Sequence, residues 1–520
     1  MGMQSELVIG LVGGSGTNFN PIINYINALL KDQFDEIHTI RLSRLIHEYF
    51  DVKDYQEDSF LKEIEYYQNQ CDELAKKNSA IMGILAIDKI SKSREKDKSN
   101  VYIINSLKRK NEFKVLNRVY GQNFILISIY ESKKSRLNHL INEEQLRLPT
   151  VLHKEIEKKA ESIIERDKHD AENNYGQSVR ETYINASYFV SADTYEEDIK
   201  RLFNILRGDP IDTPTQDEVA MAHAHIAALR SADLYRQVGA VITDNDGNII
   251  STGCNEVPKC GGGYYWGHHH DQDDLRDYFV HDHGIPITQK IKEKIAKDLI
   301  DTLREQVKHI KKLDKALSSC EDKLIDTILN KGSIKDLIEF LRPVHGEEAA
   351  ICTAALKGAS TKNTTLYCNT YPCHLCTKKI IACGIKRVVY IHPYPKSRAE
   401  TLYDGIIIDK PEPSDNIEGR VIFESYRGFS PKKYPYVFNL KYKKRYDTTT
   451  KLIIPREEVA FHPQIIYVSN YTPLGYLLKE RAYSVWLDHH FNAKPSEYED
   501  NDFNKYFTHE TTWLEECVPS

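Results

Sequence analysis

The hexapeptide "YPCHLC" at residues 371–376 sets two cysteines three apart, directly after a proline. That spacing serves a structural zinc knuckle, a thiol redox pair or half of a catalytic metal centre. A knuckle needs a second Cys-x-x-Cys or a His pair, and none is evident in the sequence. A redox pair needs a thioredoxin-like setting, of which the preceding Tyr-Pro offers little. The third use needs another ligand, and "VHGEEAA" (344–350) brings His345 two residues before Glu347. Both motifs read as helix starts. Cys373 and Cys376 then project from one helix face, at the end where thiolates are favoured.

One His and two Cys leave a tetrahedral Zn2+ with one open position, the arrangement of a catalytic site. Zinc would lower the pKa of a bound water to about 7. Glu347, near the metal but not on it, can then carry protons. His-x-Glu followed by Pro-Cys-x-x-Cys is the zinc-deaminase pattern: hydroxide attacks C4 of cytosine while Glu347 protonates N3 and then the departing ammonia.

The rest of the chain bounds this reading. Its 520 residues allow two or three domains, with 28% charged and 41% hydrophobic residues. No apolar run approaches the roughly 20 residues of a membrane span. The start has no signal-peptide flank, and Glu6 stands where a myristoylation motif needs Ser or Thr. A cytoplasmic location without membrane attachment is the expectation. A net charge of −6 gives no global attraction to nucleic acid, and the basic stretches "SLKRKNEFKVLNR" and "NLKYKKRY" read as solvated faces. Most of the ten cysteines lie between Cys254 and Cys383, which in such a compartment points to metal or catalysis.

The first 210 residues alternate strand-like and helix-like runs. "ELVIGLVG" leads into the Gly-rich turn "GGSGTN", and "FDEIHTIRLS", "NVYIINSL" and "NFILISIY" are further strands. The alternation implies a parallel sheet with helices on both faces. "RGDPIDTPTQDE" marks the boundary. Beyond it come an Ala-rich helix, "VGAVITDNDGNIISTGCNEV" as two strands around an Asn-Asp-Gly turn, and an insertion over about 264–340. Helix, strand, helix and strand then follow through "KRVVYIHP" (386–393). The last 120 or so residues, rich in Tyr and Pro, give no clear assignment.

"RSADLYRQVGAVI", "GCNEVPK", "HGEEAAI", "YPCHLC" and "ACGIKRVVYI" together resemble the deoxycytidylate deaminase branch of the zinc deaminases, over roughly 218–260 and 343–395. The resemblance implies that Asn255 contacts the substrate sugar. Gly346 stands where many members have Ala, a change the backbone geometry tolerates.

The first half carries a damaged P-loop. Gly13, Gly14, Ser15, Gly16, Thr17 and Asn18 keep the strand-turn-helix geometry that cradles phosphate. Leu11 replaces the first glycine, and Thr17 and Asn18 replace the Lys and the Ser or Thr that the motif requires. A plain tight turn is the competing reading. Residues 106–140 and 175–193 look like a nucleoside monophosphate kinase scaffold. A degenerate P-loop kinase-like domain (1–210) joined to a cytidine deaminase-like α/β/α domain (215–520, extended from about 400) resembles the bacterial antiphage deoxycytidylate deaminase family.

That resemblance implies a homo-oligomer acting on free deoxycytidine nucleotides, dCMP or dCTP, and draining them during infection. It also implies control by a nucleotide effector or an inhibitory small RNA. A nucleic-acid base deaminase acting on tRNA adenosine or cytosine, and a non-catalytic nucleotide- or RNA-binding regulator, remain as rivals. His268, His269 and His270, or Cys254 and Cys260, could form a second metal cluster, although a solvated insertion is the simpler reading. His223 and His225 point to different helix faces, and Cys352, Cys368 and Cys383 read as packing residues.

Overall fold

The computed structural model describes residues 6–50, 52–95, 98–169, 179–209, 211–267, 274–277, 284–394, 397–409, 411, 416–439, 445–447, 449–453 and 474–491. The chain forms two compact units: Met1–Glu218 with Ser425–Ser520, and Val219–Glu424. The expected boundary near 210–215 thus falls at Glu218. The chain after Glu424 returns to the first unit instead of extending the second.

In the first unit, strands β1 (Glu6–Val12), β2 (Glu36–Arg41), β3 (Asn100–Asn105), β4 (Phe124–Tyr130) and β5 (Tyr188–Ser191) form a parallel sheet in the order 5-4-1-3-2. Every residue of β1 is buried, because a parallel sheet is covered on both faces. Leu7, Ile9 and Leu11 share one core with Ile22, Ile26 and Leu30 of helix Asn20–Leu30 and with Leu202 and Phe203 of helix Tyr195–Leu206.

A short strand, Gly428–Phe429, closes the β5 edge antiparallel. Helix Leu474–Phe491 is bound through Glu480, which pairs with both terminal nitrogens of Arg94 while Arg94 also grips Glu6. Glu480 and Glu6 are almost fully buried. The Tyr- and Pro-rich tail, illegible as sequence, therefore supplies structural parts of the first unit.

The second unit holds β6 (Gly239–Thr243), β7 (Ile249–Cys254), β8 (Thr365–Thr370), β9 (Arg387–His392), β10 (Ile407–Asp409) and β11 (Val421–Ser425) in the order 10-11-9-8-6-7. β6 pairs antiparallel with β7 and β8, while β8 and β9 run parallel. The turn between β6 and β7 has Gly247 at φ 83°, as its Asp-Gly sequence requires.

Helix Gly346–Leu356 lies across β6 and β7, and two glycines let it come close. A Cβ on Gly253 would meet the Ala350 nitrogen at 2.2 Å, and one on Gly346 would meet the Val238 carbonyl oxygen at 2.9 Å. Gly346 is thus more than a tolerated change, because an alanine there would press on backbone. The insertion is helical over Ile287–Val307, Lys311–Ser319 and Glu321–Lys331. Among the described residues no helix is long and apolar enough to cross a membrane.

Candidate metal centre

β8 leads into helix His374–Ala382, and beyond the insertion Val344 bridges back to Glu256, next to the end of β7, at the start of helix Gly346–Leu356. His345 is the N-cap of helix Gly346–Leu356, and Cys373 is the N-cap of helix His374–Ala382. Both are extended, and the Cys373 sulfur accepts the backbone N–H of Cys376 at 3.4 Å. Pro372 fits such a site, since the extended stretch before a helix needs no N–H from it.

The His345 Nδ1 lies 3.3 Å from the Cys373 Sγ and 3.4 Å from the Cys376 Sγ. All three ligand atoms fall within 4.8 Å of one another, and they form the one such group among the described residues. Zn–S bonds of about 2.3 Å and Zn–N bonds of about 2.0 Å at tetrahedral angles would set these atoms roughly 3.5 Å apart. The donor set and its spacing fit zinc.

The three side chains also share protons and charge. The Cys376 thiol donates to Cys373 and, despite burial, His345 adds its charge, so the Cys373 pKa is lowered to about 4. Burial opposes charge on His345, but the bond to Cys373 and nearby negative charge outweigh it and leave its pKa at about 9. Glu347, in the first turn of its helix, is 3% exposed. Burial, reinforced by the Cys373 charge, raises its carboxyl to about 7. A carboxyl poised near neutrality can give and take protons at working pH.

Three residues outside the two metal motifs hold this arrangement. Asn255, 6% exposed at the end of β7, accepts the Gly346 N–H on Oδ1 at 2.8 Å. Its Nδ2 donates to the Arg236 carbonyl and to Asp233 Oδ2. Asn369 bridges β8 to the same entry loop, taking the Gly239 N–H and donating to the Gln237 carbonyl. Across the site, Ser397 Oγ donates to the Pro372 carbonyl at 2.9 Å. The resemblance named Asn255 only as a sugar contact, and lone Asn369 and Ser397 carry no spacing signal, so the fold alone reveals these supporting bonds.

The damaged P-loop lies at the C-terminal end of β1, where the strand order reverses and open α/β sheets bind ligands. Its carbonyls face cations: Lys108 Nζ donates to Gly13 O and Arg136 Nη1 to Ser15 O. Thr17 N donates to Gly14 O, closing the turn, with Gly16 at φ 87°. The Asn18 N–H is taken by the Glu131 carboxylate at 3.3 Å. The Thr17 hydroxyl is buried and meets no partner.

Other candidates separate. Cys368 is fully buried and burial pushes its thiol far up, but Cys352 is exposed and Cys383 partly so, which corrects their reading as packing residues. Cys254 is buried and Cys260 exposed, and neither joins a metal group among the described residues. His223 is exposed and His225 half-buried. His268, His269 and His270 lie outside the described residues.

Residues 214–392 match the cytidine and deoxycytidylate deaminase zinc-binding region. That match and the His-Cys-Cys group make Zn2+ the cofactor of this segment, and they support its place in the zinc cytidine/deoxycytidylate deaminase superfamily. The chain is 40% identical over 55 residues to the deoxycytidylate deaminase of Enterobacteria phage T2, covering 11% of this chain and 29% of that protein. It is 35% identical over 74 residues to the cytosine deaminase of Candida albicans, 14% of this chain and 49% of that one. The chain thus spans less than a third of the phage enzyme and about half of the fungal one. A solved dCMP deaminase of cyanophage S-TIM5, in complex with dCMP and dUMP, aligns at 15% identity and TM-score 0.22, over 41% of this chain and 98% of that one.

Proposed function

We propose that the protein is a hydrolytic deaminase that converts free deoxycytidine nucleotides, dCMP or dCTP, to deoxyuridine nucleotides. The observation that carries this reading is the group His345, Cys373 and Cys376 with the Glu347 carboxyl buried beside it. His345, Cys373 and Cys376 hold the zinc. When bound, zinc supplies an ionised water and an open coordination position. Glu347 takes a proton from the attacking water and passes it to N3 of the base, then takes the second from the hydroxyl newly bonded to C4 and passes it to the amino group, which leaves as ammonia. The deoxynucleotide substrate is inferred from the deoxycytidylate deaminase of phage T2 and from the resemblance in sequence.

Residues 1–218 are read as a nucleotide-kinase-like regulatory unit. The five parallel strands, with a Gly-rich turn at the end of the central one, support that reading. The defence role, an RNA or nucleotide effector and a homo-oligomer belong to the same proposal and rest on the family likeness, and the cytoplasmic location rests on the sequence reading above. The test is ammonia release and uracil formation by the zinc-loaded protein on each deoxynucleotide and on single-stranded oligonucleotides. Faster turnover of oligonucleotides than of dCMP and dCTP would favour a nucleic-acid base deaminase. No turnover of either would leave a binding protein.

A further inference from the structure

Two arms reach outward from the metal group, and each is tied to it one residue from a ligand. The first is the loop entering β6. Asn255 holds its Arg236 carbonyl with one end of the amide and the Gly346 N–H, next to His345, with the other. The second is the loop leaving β9. Tyr371 N donates to His392 O, and Ser397 Oγ donates to Pro372 O, next to Cys373. The arms meet where the Arg236 guanidinium lies over the Tyr394 ring, 5.1 Å from its centroid.

Arg236 is exposed, and no carboxylate among the described residues pairs with it. Asp233, the acid nearest in its loop, is occupied by the backbone N–H groups of Tyr235 and Arg236 and by the Asn255 amide. A guanidinium stacked on an aromatic ring keeps its N–H edges free in a fixed plane, the geometry that takes a phosphate through two parallel hydrogen bonds. The contact thus places a cation on the loop that Asn255 ties to the residue next to His345.

We infer that Arg236 binds the 5′-phosphate of the nucleotide substrate, and that Tyr394 is a positioning residue that fixes the plane of its guanidinium. This rests on the deaminase reading above and adds to it the group that separates nucleotide from nucleoside. The competing role is mechanical: a cation–π contact that merely braces the two arms.

The experiment compares kcat/KM for dCMP with kcat/KM for deoxycytidine, in the zinc-loaded full chain and in the variants Arg236→Gln, Arg236→Lys and Tyr394→Phe. Zinc content checks that the arms still hold the site. Arg236→Gln is expected to lower the dCMP-to-deoxycytidine ratio roughly ten- to hundred-fold, the usual scale for a lost charge-assisted hydrogen bond. Arg236→Lys restores charge without the fork and should fall between. Tyr394→Phe keeps the ring and should hold the wild-type ratio. Equal losses on both substrates in Arg236→Gln would reduce the pair to a brace and overturn the assignment, as would an unaltered ratio. Wild-type protein that deaminates deoxycytidine as well as dCMP would overturn the phosphate assignment alone. Turnover of neither compound, nor of dCTP, would overturn the deaminase reading and this inference with it.

Discussion

Asn255 and Gly346 are 91 residues apart in the chain, yet the Asn255 Oδ1 takes the Gly346 N–H at 2.8 Å. The amide orientation is fixed by chemistry, because an N–H can only donate and the Arg236 carbonyl on the other side can only accept. The bond satisfies one of the N–H groups that a helix start leaves without an intrahelical partner. It also sets the angle at which His345 enters the metal group. The sequence resemblance gave Asn255 a sugar contact, and the fold adds this support of the helix.

Asn255→Ala is expected to leave a buried N–H unpaired, at a cost of about 1–3 kcal/mol in stability. Zinc affinity should fall roughly 10- to 100-fold, as it does when groups that orient metal ligands are lost. Thermal unfolding of the loaded protein and competition with a chelator measure the two effects. Wild-type zinc affinity in a folded Asn255→Ala protein would remove the asparagine from the support of the site.

Cys373→Ser and Cys376→Ser should each strip the metal and destabilise the unit that carries it. Cys373 is also the N-cap of its helix, and serine can still cap, so the loss of zinc should exceed the loss of helix. Metal analysis together with circular dichroism separates the two. Full zinc occupancy in Cys373→Ser would refute the ligand assignment.

Glu347→Gln and Glu347→Ala are expected to retain zinc while lowering kcat about 10²- to 10⁴-fold, the usual worth of a general acid–base group. Formation of dUMP from dCMP and metal content are the measurements. Activity within a few-fold of wild type would show that another group moves the protons.

The sequence made the site legible to the extent that chemistry demands fixed spacing. His345, Glu347, Cys373 and Cys376 sit in two short motifs because one turn of helix must present each pair. Strands β1, β3 and β4 were readable because they are continuous apolar runs, whereas the short strands β5, β10 and β11 were not. The return of the tail to the first unit was not readable. Gly428–Phe429 contributes two residues to a sheet edge, and Glu480 finds Arg94 across 386 residues of chain. Neither leaves a local period. The close approach at Gly253 was hidden for the same reason, because a glycine in a strand looks alike whether it faces solvent or a helix backbone.

Gly253→Ala should therefore cost more than Gly346→Ala. The added Cβ would lie 2.2 Å from a backbone nitrogen in the first case and 2.9 Å from a backbone oxygen in the second. Overpacking of this kind typically costs about 1–3 kcal/mol, with Gly253→Ala at or above the upper end. Chemical denaturation of the two variants tests the order. Equal stability would mean that helix Gly346–Leu356 can move away from β7 without penalty.

The loop after β1 allows a last prediction about the first unit. Phosphoryl transfer works by positioning phosphates and neutralising their charge. Thr17 brings no charge, Asn18 is a poor magnesium ligand, and the Asn18 N–H already holds Glu131. Lys108 and Arg136 are turned onto loop carbonyls, where they brace the turn. The loop's remaining amides can hold an anion weakly, but the loop lacks the groups that would move a phosphoryl. We therefore predict no ATP-dependent phosphorylation of any nucleoside monophosphate, and a deaminase whose activity responds to an effector bound by the first unit. An effector shifts activity only if it binds the active and inactive arrangements unequally. The assay must use the full chain, because a fragment ending near 210 would lose the Gly428–Phe429 edge strand and the Glu480 partner of Arg94. Full-length protein with Glu347→Gln, incubated with ATP and each monophosphate, should yield no diphosphate. Replacing Arg136 by Ala should change the effector response while zinc content stays at the wild-type level. Diphosphate formation, or a response identical to wild type in Arg136→Ala, would each count against the loop as a sensing element.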